Sequence, residues 1–348
     1  MKTTIVAWMT LAPAVLVGLG CSGIRAAEPV RFDGPPAPRA AEPFPNWPLP
    51  PDQAERVLGS ARVHRAVDVQ SAGAGVTGAE KDRVVFIMDD EQRVEIKLKW
   101  KLAPSELDGP NNSPRKELAA YEIQKLFLDP EDWVVPTSAM RCPRLEVVRE
   151  HHPGFKPNAP GATCGLGLTS IWMKDLTVPD VLYDEVRFRS DPTYAYFMSN
   201  FNLLTYLIGH KDGRKGNFLV SKDPVRRQVF AIDNGVAFDI AYGGVWFNWF
   251  VPNWNQLRIP AVRKESVERL RALRREDLDR LGVINQLERD EAGIFHPAPP
   301  GPNLEPTKGA SERDGTLQFG LKQSEIDDVW RRIQALLEIV DDARISTF

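Results

Sequence analysis

The sequence predicts an α+β fold with a small antiparallel β part in its first half and a larger, mainly helical part in its second half. Three β-type stretches, separated by a glycine-rich turn and a tight turn, occupy residues 61–101, and a helical stretch follows at 115–127. Two further stretches of helical periodicity lie at 196–210 and 324–343. A chain of 348 residues is long enough to form two lobes around a cleft.

The N-terminus has the layout of a secretory signal, because Lys2 precedes an apolar run from Ile5 to Leu19 and small residues lead on to Cys21. The run is short for a membrane span. Its end loosely resembles a bacterial lipoprotein box in which Cys21 carries the lipid; plain cleavage and an uncleaved anchor are the alternatives. We predict a signal peptide or lipoprotein signal at residues 1–23 and an exported protein, periplasmic or membrane-anchored through Cys21.

The rest of the chain divides into three parts. A proline-rich stretch without periodicity predicts an extended N-terminal linker at residues 24–58. The small lobe is predicted at 59–175 and the large lobe at 176–348. In an oxidising compartment Cys142 and Cys164 would pair; otherwise they are two buried thiols, and the sequence leaves both alternatives open.

The composition restricts the class of protein. Hydrophobic residues make up 43% and charged residues 26%, as in ordinary soluble globular proteins. The net charge of −3 excludes a polycation that binds nucleic acids through its overall charge, so we expect no nucleic-acid partner. The oligomeric state is left open.

The second half contains a regular series of predicted elements. A long apolar helix, YFMSNFNLLTYLIGH, leads into a polar loop, and the short strands FLV and VFAID then flank a second polar loop. An amphipathic helix is predicted over 263–281 and an irregular segment over 296–315, before the terminal helix.

Polar side chains cluster in the loops between these elements. His210, Asp212 and Asn217 belong to HKDGRKGN, and Asp233 follows sixteen residues later in AIDNGVAF. These motifs resemble the H-x-D-x-x-x-x-N loop and the later D-x-G segment of the protein-kinase-like superfamily. Lys211 replaces the arginine common in protein kinases, and no A-P-E-like segment follows. The resemblance is therefore to the atypical branch, phosphoinositide 3-/4-kinase-like and Golgi secretory kinase-like, and to a bacterial exported member of it.

The resemblance implies a bilobal fold with the polar residues in the large lobe. Asp212 would orient the acceptor hydroxyl, and His210 would pack under the loop. Asn217 and Asp233 would provide oxygen ligands of the kind that Mg²⁺ prefers. Arg214 would offset the charge that develops on the transferred phosphate, with Lys215 as the runner-up.

The small lobe would hold the phosphates of the nucleotide. Gly73, Gly75 and Gly78 form a G-x-G-x-x-G pattern followed by a strand, which is the kinase arrangement and not that of a dinucleotide-binding fold. Glycines let backbone N–H groups approach phosphates closely. The hinge between the lobes, where adenine would bind, is expected near residues 172–174.

The third strand and the following helix offer a lysine–glutamate pair. Lys97, Lys99 and Lys101 alternate with apolar residues and so share one strand face. Lys99 is the candidate phosphate-binding lysine, with Lys97 as the alternative. Its partner would be Glu117, with Glu122 as the alternative.

The sequence thus predicts an ATP- and Mg²⁺-dependent phosphotransferase of the atypical kinase fold. Its phosphoacceptor, a protein, sugar, lipid or small molecule, stays unknown. Two alternatives are open: a nucleotidyl transferase on the same fold, and a non-catalytic kinase-fold binding lipoprotein.

Overall fold

The structure is a computed structural model that describes residues 29–32, 43–60, 62–71, 79–88, 90–110, 112–238 and 254–348. Within them the chain is α+β, as predicted, with helices and several antiparallel sheets. The predicted signal with Cys21 and the triplet Gly73, Gly75 and Gly78 lie outside the described residues. In the described part, no helix is both long and apolar enough to cross a membrane.

The first half is built on one sheet. Its elements are α1 (Pro51–Ser60), β1 (Arg62–Ser71), β2 (Glu80–Ile87), β3 (Arg93–Leu102), α2 (Pro114–Gln124), β4 (Ser138–Arg141), α3 (Leu145–Arg149) and β5 (Gly167–Ile171). The strands pair antiparallel in the order β1-β2-β3-β5-β4. The predicted meander β1–β3 and the helix α2 are confirmed, while β4 and β5 are additional.

The second half combines helices with short strands. Its elements are β6 (Leu176–Thr177), α4 (Glu185–Ser190), α5 (Pro192–Leu207), β7 (Phe218–Ser221), β8 (Val229–Ala231), β9 (Ala261–Val262), α6 (Lys264–Arg271), β10 (Asn285–Arg289), β11 (Phe295–Ala298), β12 (Ala310–Arg313), β13 (Thr316–Phe319), α7 (Gln323–Asp341) and β14 (Ser346–Thr347). The predicted hairpin β7–β8 is confirmed. The amphipathic helix predicted over 263–281 ends at Arg271, and a 3-10 helix follows at Arg275–Gly282.

The segment predicted as irregular over 296–315 forms part of a second sheet, with the order β11-β10-β13-β12. Its apolar side chains Leu287, Phe295, Leu317 and Phe319 pack in one cluster with Met140 of β4. The prediction was wrong because each strand has only four or five residues and prolines interrupt the sequence, so periodicity is weak.

Cys142 and Cys164 form a disulfide inside the same cluster, which settles the alternative left open by the sequence. Both residues are buried. Closing a loop of this length contributes about 3 kcal/mol in the chain-entropy view of disulfides. The bridge joins the end of β4 to the segment before β5, directly beneath the second sheet.

The stretch before β1 is docked on the body and is not an extended tether. Residues 43–58, which the sequence places in the N-terminal linker, include the buried Trp47 and most of the helix α1. Ala54, Val57 and Leu58 of α1 are buried against Phe86 and other apolar side chains of the first sheet. Prolines at 43, 45, 48, 50 and 51 conceal this packing, because they remove any periodic signal.

The helix α5 organises the main core. Its N-cap Asp191 accepts hydrogen bonds from the backbone N–H groups of Thr193 and Tyr194, both at 3.0 Å. Phe201 and Leu204 are fully buried, and most other side chains of the helix are buried as well. The end of α5 is therefore a rigid base for the polar loop that follows it.

An acidic side chain lies between the first sheet and α3. Asp82 of β2 is only 6% exposed, and its Oδ1 has no hydrogen-bond partner among the described residues. Burial and the negative charges of Glu80 and Asp68 raise the pKa of Asp82 to about 7, against a lowering by His152. Asp82 is therefore protonated in the folded protein at pH values where the unfolded chain has lost that proton.

We expect the Asp82→Asn variant to be more stable than the wild type at pH 8, by roughly 1–3 kcal/mol, and about equally stable at pH 4. The free energy of unfolding of the wild type falls as the pH rises from 3.8, the pKa of Asp82 in the unfolded chain, towards about 7, its pKa in the folded protein. Asparagine does not titrate, so the variant does not lose this stability. Thermal unfolding between pH 4 and 8 measures the difference. The exposed Asp180, changed to asparagine, is the matched control. A stability difference independent of pH would contradict the assignment.

Candidate functional site

The hairpin β7–β8 brings the two polar segments of the second half together. Phe218 pairs with Ala231, and the N–H of Ile232 donates to the carbonyl of Asn217 at 3.0 Å. Asn217 and Asp233, sixteen residues apart in sequence, therefore lie at the same end of the hairpin.

His210 supports this end from below. It is fully buried, its ring packs 4.9 Å from that of Phe218, and its Nε2 lies 3.1 Å from the carbonyl oxygen of Asp233. Burial lowers the pKa of His210, so the ring is neutral and Nε2 carries the donated proton. The prediction that His210 packs under the loop is confirmed.

Asp212 is held by two neighbours in the loop. Its carboxylate accepts from Arg214 Nε at 2.7 Å and from Nη2 at 2.5 Å, a bidentate pair. The Nδ2 of Asn217 donates to the backbone carbonyl of Asp212 at 3.0 Å. Arg214 is half exposed while Asp212 is buried, so the guanidinium covers the carboxylate from the solvent side. The side chain of Lys215, the runner-up to Arg214, lies outside the described residues.

The basic face of β3 divides along its length. Lys97 is exposed, Lys99 is largely buried and Lys101 is 2% exposed. Lys99 Nζ donates to the carbonyl of Ile232 at 3.0 Å and lies 3.7 Å from Glu117 Oε1. Lys99, not Lys97, therefore reaches the segment that carries Asp233.

Glu117 joins α2 to the same segment. It is 4% exposed, and its Oε2 accepts from the backbone N–H of Asn234 at 2.9 Å. Its Oε1 has no hydrogen-bond partner among the described residues. Glu122, the alternative, instead pairs with Lys125 at 2.5 Å. The structure thus brings Glu117, Lys99 and Asp233 together and leaves Glu122 outside.

The buried charged groups of the site shift one another's pKa values. Burial alone would lower the pKa of Lys99, but Glu117 and Asp233 raise it. Burial would raise the pKa of Asp233, but Lys99 and Lys101 lower it to about 2. The pKa of Glu117 is raised, mainly by burial and further by Asp233. Lys101, to which the sequence assigns no role, therefore belongs to the site, because it lowers the pKa of Asp233. Its membership becomes visible only from its burial in the structure.

A cavity of about 670 Å³ opens beside Lys99, a size within the range of small-molecule sites. Ile96, Leu219 and Ile232 line it. The segment 172–175 between β5 and β6, here called the linker and distinct from the N-terminal linker, lines it as well. The carbonyl of Met173 and the N–H of Asp175 make no hydrogen bond within the described part of the chain. Both residues belong to the part of the linker that lines the cavity.

The donor set at the end of the hairpin fits Mg²⁺. Asp233 provides an ionised carboxylate, and Asn217 keeps its Oδ1 for a metal because its Nδ2 is used by Asp212. The described residues contain no cluster of three or more His, Cys, Asp and Glu side chains that could hold an ion alone. The remaining ligands would have to be phosphate oxygens and water, as is usual for Mg²⁺.

No protein-family model matches the sequence, and no curated protein matches it.

We expect Glu117→Gln to increase the reactivity of the Lys99 amine, because loss of the carboxylate removes the main cause that raises its pKa and leaves burial, which lowers it. Competitive acetylation at pH 8, followed by mass spectrometry, measures the rate for Lys99; an increase of several-fold is expected. Glu122→Gln is the matched control and should leave that rate unchanged. Equal rates in both variants would contradict the pairing.

Proposed function

We propose that this chain is an ATP- and Mg²⁺-dependent phosphotransferase with a bilobal, protein-kinase-like fold of the atypical branch. The observation that carries the proposal is the convergence of Glu117, Asn217 and Asp233, from separate segments of the chain, around Lys99, which itself lines the cavity. A triphosphate with a divalent cation needs both a buried cation and oxygen ligands at one place.

The arrangement of elements supports the same proposal. An antiparallel sheet with the helix α2 is followed by the linker, then by the helix α5 and the hairpin that carries the polar loop. In this view the first sheet and α2 form the small lobe and the elements around α5 form the large lobe. The second sheet, β10–β13, packs on the small lobe although it comes late in the chain.

Nucleotide binding follows from the walls of the cavity. The adenine would lie between Ile96 and Leu219, with its edge on the carbonyl of Met173 and the N–H of Asp175, for which the described residues offer no hydrogen-bond partner. Lys99 would bind the phosphates. Mg²⁺, held by Asn217 and Asp233, would neutralise charge on the phosphate oxygens.

The chemical step requires a positioned acceptor hydroxyl. Its oxygen would attack the γ-phosphorus, the bond from that phosphorus to the β–γ bridging oxygen would break, and ADP would leave. The hydroxyl proton would pass to Asp212. Arg214, already beside Asp212, would offset the negative charge on the transferred group.

The proposed location of the protein is outside the cytoplasm. The disulfide Cys142–Cys164 supports this, since disulfides persist in oxidising compartments. The signal-like N-terminus supports it independently. Lipidation at Cys21 remains part of the proposal.

One observation favours a second candidate, a nucleotide-binding protein without turnover. Both oxygens of Asp212 are engaged by Arg214 in a bidentate pair, so an acceptor hydroxyl would have to displace the guanidinium to reach them. Binding without phosphate transfer would support that candidate.

We expect the wild type to bind ATP in the presence of Mg²⁺ and to release ADP slowly by transfer to water, and Asp212→Asn to reduce that release by about 10²-fold or more while binding persists. Thermal shift measures binding and a coupled ADP assay measures turnover. Asp180→Asn, at an exposed position, is the matched control. Absence of any shift at millimolar ATP would reject the proposal.

We expect Asp233→Asn to abolish the difference between ATP binding with Mg²⁺ and ATP binding in EDTA. In the wild type this difference should be the same at pH 7.5 and pH 8.5, where ATP is fully ionised, because the pKa of Asp233 is about 2 and its carboxylate stays ionised. Titration of ATP by calorimetry at these two pH values tests both statements. A Mg²⁺ effect that survives in the variant would exclude Asp233 as a ligand.

A further inference from the structure

The segment 43–60, here called the strap, is attached to the linker through Asn46. This residue is 3% exposed, although it lies in a stretch of prolines. The N–H of Lys174 donates to the carbonyl of Asn46 at 2.9 Å. In return, Asn46 Nδ2 donates to the carbonyls of Lys174 at 3.0 Å and Asp175 at 3.3 Å. Three hydrogen bonds thus fix the linker wall of the cavity to the strap.

The strap is also attached to α2 through Glu55. Its Oε1 accepts from Tyr121 Oη at 2.7 Å and from Lys125 Nζ at 2.6 Å. Tyr121 lies one turn beyond Glu117 on α2, and Lys125 is the C-cap residue of that helix. Hence the strap touches the helix that presents Glu117 to Lys99.

The strap itself is well anchored and forms part of the cavity wall. Trp47 is buried in the main core, and α1 buries its apolar face on the first sheet. Arg141 of β4 donates to the carbonyl of Leu58 at 2.6 Å. Pro48 and Leu49, between the two attachments, line the 670 Å³ cavity. A ligand in the cavity would therefore contact the strap directly.

We propose that the strap is a positioning element of the nucleotide site, in which Asn46 fixes the linker and Glu55 fixes α2. This inference rests on the proposed function. If the cavity wall is ordered before the ligand binds, binding does not cost the entropy of ordering that wall. Release of the strap should therefore weaken binding, although no group that touches the phosphates is removed. Asn46 and Glu55 are positioning residues and take no part in the chemical step.

The test of Asn46 uses an isosteric change. Asn46→Asp replaces the donating amide by a carboxylate that faces the carbonyls of Lys174 and Asp175, and so repels them. Gln53→Glu makes the same chemical change at an exposed position of α1 that makes no attachment. Hydrogen exchange of the ligand-free proteins, followed by mass spectrometry, reports on the linker. Calorimetric titration with ATP and Mg²⁺ reports on the site.

For Asn46→Asp we expect faster exchange in residues 172–177 and an ATP affinity at least about fivefold weaker than that of the wild type. Gln53→Glu should match the wild type in both measurements. Asn46→Ala, which removes both side-chain donors without introducing a charge, replaces the aspartate variant if that variant does not fold. Unchanged linker exchange together with unchanged affinity would overturn the proposal.

Glu55→Ala tests the second attachment, with Gln53→Ala as its control. We expect faster exchange in Pro114–Gln124 of the ligand-free protein and a weaker ATP affinity. If the wild type binds no ATP, the proposed function fails; the exchange measurements on the ligand-free proteins still decide whether the strap fixes the linker and α2. Exchange that changes only with global stability, and equally in both segments, would reduce the strap to ordinary packing.

Discussion

The buried charges around Lys99 constrain every element of the site. Lys99 and Lys101 come from β3, Glu117 from α2 and Asp233 from the segment after β8. A buried charge left without its partner costs several kcal/mol. Each of these elements is therefore held in place by the charge on the others. Two positive and two negative side chains are present, and two backbone groups add to their contacts: the carbonyl of Ile232 accepts from Lys99, and the N–H of Asn234 donates to Glu117.

The same helix that carries Glu117 is fixed to the far end of the chain. Arg115 is 2% exposed and binds Glu325 of α7 with two hydrogen bonds, at 2.5 and 3.0 Å, and Asp108 with one at 2.6 Å. Glu325 also accepts from the backbone N–H of Lys322 at the start of α7. The position of α2 thus depends on contacts made more than two hundred residues later.

The sequence predicts the parts of this site that depend on local spacing. His210, Asp212, Asn217 and Asp233 meet because a single short hairpin separates them, and the polar loop and hairpin signals are visible in the residue types. The alternation of β3 gives the face of its three lysines, but not which of them is buried, since that depends on β5 and α2 packing against it. No local pattern distinguishes Glu117 from Glu122, which lie five residues apart on one helix.

Other features leave no local signal at all. The strands β10, β11 and β13 carry only one or two buried apolar residues each, and β12 carries none. Their sheet packs against the disulfide segment, which lies over a hundred residues earlier. Asn46 forms hydrogen bonds with backbone groups of residues 174 and 175, and because every residue carries such groups, the sequence does not identify these partners. Its role is therefore visible only in three dimensions.

The helix α2 is held at both of its ends, by Arg115 at its first turn and by Glu55 through Tyr121 and Lys125 at its last. A helix attached at both ends cannot pivot about either end while both attachments hold. The ion pair between Glu117 and Lys99 is accordingly supported from both ends of the helix that carries Glu117. A rotation of α2 that separates Glu117 from Lys99 would first have to break one of these two attachments.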